Sequence, residues 1–220
     1  MENLKMIRIK AKLKELFEDK IDITDVKNEK EKENKYLTRA IAALEMVITC
    51  GIDYESASKT ITDGYHDIGI DAIYNDCNQK KLILVQSKWR NDGNGGVSQT
   101  EISPFIEGIK RIINLNFEGC NDKIKSKQQE ITSAISDMDY QIEMILCHTG
   151  SQNIDTYVYS PIKELLNQIN EDDSSKLLIF TEHKLQDLYE FLANGQNTES
   201  ITLPDVILHN WGTIDAPLKA

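Results

Sequence analysis

The sequence predicts an α/β fold, a mixed β-sheet flanked by helices and preceded by an N-terminal helical segment. Three observations carry this expectation. Ile70–Tyr74 and Leu82–Trp89 are β-rich runs separated by the polar, turn-prone stretch Asn75–Lys80, which reads as an antiparallel hairpin. Two later runs, Tyr140–Thr149 and Lys176–Thr181, have strand composition, and segments of helical period stand between them. Helices alternating with strands in this way imply partly parallel pairing.

The helices follow from apolar spacing. Residues 3–19 carry Leu4, Ile7, Leu13, Leu16 and Phe17 with lysines between them, an amphipathic pattern. Asn28 to Asn34 has no apolar anchor and is either a loop or a solvated helix start. Leu37, Ile41, Leu44 and Ile48 predict a helix over 36–49, with Gly51 where a helix commonly stops. A short helix is expected around Tyr54–Lys59. Ser103 followed by Pro104 has the form of a helix start, with Phe105, Ile109, Ile112 and Ile113 on the buried face. Residues 122–138 predict one helix with Ile124, Ile131, Ile135 and Met138 on one side. Val158–Ile169 and Lys184–Leu192 predict two more. Asn91–Gly96 reads as a connector. The organisation expected is an N-terminal extension over 1–35, a main domain over 36–195 and a tail over 196–220 that leads into a further region.

Bulk properties exclude several classes. At 220 residues, with 40% hydrophobic and 28% charged residues, the chain can bury a core. No apolar run approaches the roughly 20 residues that span a bilayer, and the charged start does not resemble a signal peptide; a cytoplasmic protein is expected. Cys50, Cys77, Cys120 and Cys147 lack zinc-ligand spacing and are expected as free thiols. The histidines show no ligand spacing either. The net charge of −11 counts against a nucleic-acid partner, because phosphate neutralisation supplies most non-specific affinity. Two basic runs, Lys5 to Lys14 and Lys123 to Lys127, read as solvated helix faces or as local patches.

The chemistry is concentrated in Asp63–Trp89. Alternation puts Gln86 and Lys88 on one face of their strand and Ser87 on the other. A turn centred between Asn78 and Gln79 pairs residues whose numbers sum to 157, which sets Asp71 opposite Gln86 with Cβ atoms about 5 Å apart. An amide and an amine inside an aliphatic strand conflict with its core role and call for a reason. Phosphodiester hydrolysis supplies one. A hard divalent cation takes oxygen ligands, available from the Asp71 carboxylate and the Gln86 amide. Lys88 can position or deprotonate the attacking water, or stabilise the transition state. Glu45 could add a further carboxylate. Asp67 reads as a loop cap or a group supporting the site, His66 as a loop histidine, and Tyr65, Tyr74 and Trp89 as packing residues.

The segment resembles the PD-(D/E)XK nuclease superfamily, and most closely the Mrr-like branch and the N-terminal domain of the abortive-phage-resistance (AIPR) proteins. The residues that carry the resemblance are Gly64, Asp67, Gly69-Ile70-Asp71-Ala72-Ile73-Tyr74 and Leu84-Val85-Gln86-Ser87-Lys88, as D-x-G-I-D followed by Q-x-K. Phe105 and Gly108 also fit the family pattern. The resemblance implies a restriction-endonuclease-like sheet, with Asp71 as metal-binding aspartate, Gln86 as second ligand, Lys88 as catalytic lysine and Glu45 as an additional metal ligand. It implies Mg²⁺ or Mn²⁺ as cofactor, DNA as substrate, and a role in restriction or phage defence, possessed by a homodimer or in company with a downstream region or partner chain. Isoleucine replaces the proline before Asp71, and a neutral amide stands in the second motif's acidic position. The competing expectation is a weak or inactive nuclease-fold module that binds nucleic acid or assembles with a partner.

Overall fold

In the computed structural model, residues 4–170 and 176–195 are described; the expected C-terminal region over 196–220 lies outside them. Helix α1 spans Leu4–Leu16 and buries Met6, Ile9 and Leu13. Leu4 and Ile7, expected on the buried face, are 59% and 44% exposed. The stripe through Met6, Ile9, Leu13 and Phe17 wins because it meets α2, which spans Glu29–Cys50. The charged stretch after Asn28 is a helix start: the Asn28 side chain accepts from Lys30 N–H, and acidic Glu29 and Glu31 sit in the first turn, where the helix dipole favours them. Gly51 ends α2 at φ 64°, its N–H donating to Val47 O, a left-handed cap that suits glycine. Helix α3, Tyr54–Ser58, is capped by Asp53.

Strands β1 (Ala72–Asp76) and β2 (Lys81–Lys88) form the expected antiparallel hairpin. Pairs from Ala72↔Val85 to Asp76↔Lys81 have the anticipated sum of 157. The Asp76 carboxylate closes the turn by accepting from Asn78 and Gln79 N–H, both at 3.0 Å. Helix α4 spans Gln99–Ile113, and so begins before the Ser103-Pro104 pair. Ser98 and Glu101 account for the earlier start, since Ser98 N–H and Oγ donate to the Glu101 carboxylate at 2.9 and 2.7 Å. Pro104 then falls inside the helix, where it withholds one backbone donor.

The expected helix over 122–138 is two helices, α5 (Asp122–Ser126) and α6 (Gln128–Ser136), separated at Lys127. Met138 lies beyond α6 and is 96% exposed. Strand β3 (Gln141–His148), helix α7 (Thr156–Asn170), strand β4 (Leu178–His183) and helix α8 (Leu185–Asn194) complete the described chain. The sheet order is β1-β2-β3-β4, with β1/β2 antiparallel and the other two pairings parallel.

Side chains alternate between two cores. Ala72, Ile83, Val85, Ile145 and Cys147 pack against α1, α2, α3 and α8. Ile73, Leu82, Leu84, Met144 and Leu146 pack against α4 to α7. The anticipated boundary at residue 35 falls inside α2, and α1 shares a core with α2 and the sheet. All four cysteines are free thiols; Cys77, in the hairpin turn, is exposed. Among the described residues no helix is long and apolar enough to cross a membrane.

The loop between α3 and β1 is held on α4 by two glycines. A Cβ on Gly108 would stand 2.2 Å from Ile68 O, and one on Gly69, at φ +76°, would stand 2.6 Å from the Pro104 carbonyl carbon. Gly108→Ala is therefore expected to lower stability by about 1–3 kcal/mol through forced separation of loop and helix. Urea unfolding would measure it, with Gly64→Ala, whose Cβ meets nothing closer than 3.7 Å, expected near wild type. An unaltered midpoint for Gly108→Ala would contradict the clamp.

Candidate metal centre

The centre is built on the segment Thr62–Asp71. Thr62 and Asp63 N–H both donate to Asp71 O, at 2.8 and 3.1 Å, and Thr62 Oγ1 donates to Ile70 O at 2.7 Å. The chain between folds back on itself through three left-handed residues, His66 (φ 62°), Ile68 (φ 54°) and Gly69 (φ 76°). For a β-branched residue such as Ile68 that conformation is strained. Asp67 holds it in place: its carboxylate accepts from Gly69 N–H at 2.8 Å and Gly64 N–H at 3.2 Å. Tyr65, expected in packing, is instead 85% exposed and lies edge-on to His66 at a ring separation of 4.0 Å.

Asp71 ends the hairpin ladder. Its N–H donates to Val85 O at 2.8 Å. Its Oδ2 accepts from Ser87 N–H at 2.7 Å and Ser87 Oγ at 3.0 Å, while Oδ1 has no hydrogen-bond partner among the described residues. Burial, with the Asp63 charge adding to it, pushes the carboxyl up to about 7 despite Lys88 and the Ser87 N–H. Asp63 is also buried, but its fate is the reverse. Burial favours the neutral acid; the Lys35 charge and the bonds from Lys35 and Arg39 outweigh it and hold the group below the usual carboxylate range. Burial raises Asp67 against its two backbone donors. One oxygen from each of Asp63, Asp67 and Asp71 can be chosen so that all three lie within 4.8 Å of one another.

Gln86 is 2% exposed. Its Nε2 donates to Glu101 O at 3.1 Å, which fixes which end of the amide is which. Oε1 is then left buried with no donor, a cost of about 1–3 kcal/mol if nothing else satisfies it. The ladder's last pair is Ala72↔Val85; Asp71 N–H goes to Val85 O and the Asp71 carboxylate to Ser87, so the expected Asp71–Gln86 pair is not part of it. Lys88 follows two residues later on the same strand face, half-buried, its ammonium without a hydrogen-bond or ion-pair partner among the described residues.

Glu45, expected as a further metal ligand, lies elsewhere. It is fully buried on α2, accepting from Thr49 Oγ1 at 2.8 Å and paired through both oxygens with His183 Nδ1 at 2.9 and 3.0 Å. The hydrogen bond to Glu45 raises the His183 pKa. The sequence reading also missed Asp63, and with it Lys35 and Arg39. The one signal was the equal spacing of Asp63, Asp67 and Asp71, which in a loop has no periodic meaning.

The donor set fits a divalent cation. The three clustered carboxylates are hard oxygen ligands of the kind Mg²⁺, Mn²⁺ and Ca²⁺ take, and no thiol or imidazole belongs to the group.

A pH dependence follows for the metal-free protein. Asp71 stays protonated in the native state up to about 7 but ionises near 3.8 in the unfolded chain. Between those values the native state binds more protons, so this group's contribution makes stability fall as pH rises. Asp71→Asn removes that contribution, and its stability lead over wild type should widen from pH 4.5 to pH 7.5 in urea titrations with EDTA. Parallel pH profiles for the two proteins would refute it.

Compared with known proteins, the chain matches no family model, no curated protein and no solved structure.

Proposed function

We propose that this chain is a metal-dependent phosphodiesterase acting on DNA, an endonuclease of the PD-(D/E)XK type that serves in restriction or phage defence. The observation that carries the reading is the group of three carboxylates, Asp63, Asp67 and Asp71, with oxygens within 4.8 Å of one another; on the neighbouring strand the buried Gln86 Oε1 has no donor. A fold tolerates an orphaned acceptor where something outside the chain completes it.

Asp71, Gln86 and the carboxylates of Asp67 and Asp63 would hold the cation. Bound there, Mg²⁺ or Mn²⁺ supplies Lewis acidity and a water of lowered pKa. Ser87 contributes by fixing Asp71: with Oδ2 tied to its N–H and hydroxyl, the carboxylate cannot rotate and Oδ1 remains for the ligand. Lys88 is the one amine on the same strand face. Its ammonium neutralises charge that builds on the phosphate oxygens, or orients the attacking water. Burial of the surrounding groups strengthens each of these interactions. A homodimer would provide two such sites for the two strands of a duplex.

The net charge of −11 and the neutral Gln86 favour the alternative of a module that binds without cutting. The basic run of α1 is already engaged: Lys10 and Lys14 pair with Glu33 at 2.8 and 2.6 Å, and Lys12 with Glu15 at 2.6 Å. DNA contact therefore falls to cations nearer the site.

Incubation of plasmid DNA with Mg²⁺ or Mn²⁺ tests the assignment. Cleavage should require the ion, stop in EDTA, and fall at least about 100-fold in Asp71→Ala and Lys88→Ala. Cleavage that survives EDTA or is equal in the variants would remove this site from the chemistry. Salt-sensitive DNA binding without cleavage would favour the non-catalytic module.

A further inference from the structure

We propose that Lys35 is a built-in counter-cation of the acidic cluster: it occupies Asp63 in the metal-free protein and is displaced from it when a divalent ion binds. The inference rests on the metal-site reading above and adds a residue to which neither the motif nor the hairpin points.

Lys35 and Arg39 stand one turn apart on α2 and grip the same carboxylate. Arg39 Nε donates to Asp63 Oδ2, and Lys35 Nζ to Asp63 Oδ1, each at 2.6 Å. The two cations are otherwise unlike. Arg39 is fully buried, and all five of its N–H donors are engaged: by Asp63 Oδ2 and O, by both oxygens of Asp25 at 2.7 Å, and by Asp22 O. It is a fixed brace. Lys35 has a single partner and a side chain 41% exposed, on a flexible stem that can swing its charge into water.

Position makes Lys35 more than a second partner for Asp63. Its ammonium also acts on Asp71 and Asp67, which each bring an oxygen within 4.8 Å of one of Asp63's. Those carboxylates approach one another closely, an arrangement that needs positive charge. Arg39 divides its charge between Asp63 and Asp25, and Lys35 makes up the balance. A divalent ion would do the same with twice the charge. Arg39 holds Oδ2, so Oδ1 is the Asp63 oxygen open to an ion, and it is the one Lys35 holds. An ammonium and a divalent ion on one oxygen repel each other strongly in so desolvated a place. Binding of the ion and release of Lys35 are therefore one exchange, and affinity is reduced by the competition.

Calorimetric titration of the 220-residue chain with Mn²⁺ alone, at fixed ionic strength, tests this. Lys35→Met should bind Mn²⁺ about tenfold more tightly than wild type, and Lys35→Arg, which keeps the charge, should stay near it. Equal or weaker binding by Lys35→Met overturns the exchange and leaves the metal site standing. No Mn²⁺ binding by any of the three proteins overturns both. A second measurement needs no variant: labelling of Lys35 by an amine-reactive reagent, read by peptide mass spectrometry, should rise severalfold when Mn²⁺ is added to wild type. Labelling that is unchanged by Mn²⁺ rejects the displacement.

Discussion

The buried guanidinium of Arg39 is the constraint on which the site's geometry depends. An unpaired charge in that position would be prohibitive, and the surrounding chain is shaped to prevent it. The segment before α2 supplies Asp22 O and Asp25, and the loop before β1 supplies Asp63. A helix on one sheet face is thus tied to the loop that delivers Asp71 to the end of β2. Breaking such a buried pair from one side typically costs about 3–5 kcal/mol. That scale explains how the loop can keep three left-handed residues: it is pinned by Arg39 from one side and by the Gly69 and Gly108 contacts with α4 from the other.

The same rigidity keeps mutually repelling groups together. Asp71 is driven toward neutrality by burial and by Asp63, whereas Asp63 is driven toward ionisation by its two cations. Two carboxyl groups of one cluster pushed in opposite directions are a signature of a site prepared for something other than stability. The orphaned Gln86 oxygen adds to the same side of the balance. Asn75 Oδ1 and the Nε atoms of Arg90 and Arg111 are also buried without a partner, but the buried carboxylates outside the cluster are paired: Glu45 has its His183 and Thr49, and Glu143 its Lys81 and Thr181.

Sequence reading succeeded where a local rule determined the outcome. Turn-centred pairing gave the hairpin register, and strand composition located all four strands, because burial on both faces demands apolar runs. It failed where two local rules competed. In α1 two apolar stripes were available, and only the tertiary partners α2 and α8 selected Met6 and Ile9 over Leu4 and Ile7. Before α4 the Ser-Pro pair signalled the start, whereas Ser98, bonded through its N–H and hydroxyl to the Glu101 carboxylate, starts the helix earlier. The resemblance made Glu45 a ligand, and nothing in the sequence pointed to His183, the partner it has in the fold. Asp63 could not be assigned at all, since its role comes from Lys35 and Arg39, 28 and 24 residues earlier in the chain.

These contacts give the neutral amide at position 86 a physical sense. On the metal-site reading, a carboxylate there would join Asp63, Asp67 and Asp71, and the metal-free cluster would need a further cation or a further proton to remain folded. An amide offers a carbonyl oxygen of the same reach without the charge. Its second polar atom is anchored to Glu101 O, so the oxygen is oriented at no cost in self-repulsion. On the metal-site reading, the negative charge absent from Gln86 is supplied by the loop aspartates, and those are the residues already counterbalanced by Lys35 and Arg39. On that reading the ligand charge sits on the loop, where the cations of α2 counterbalance it.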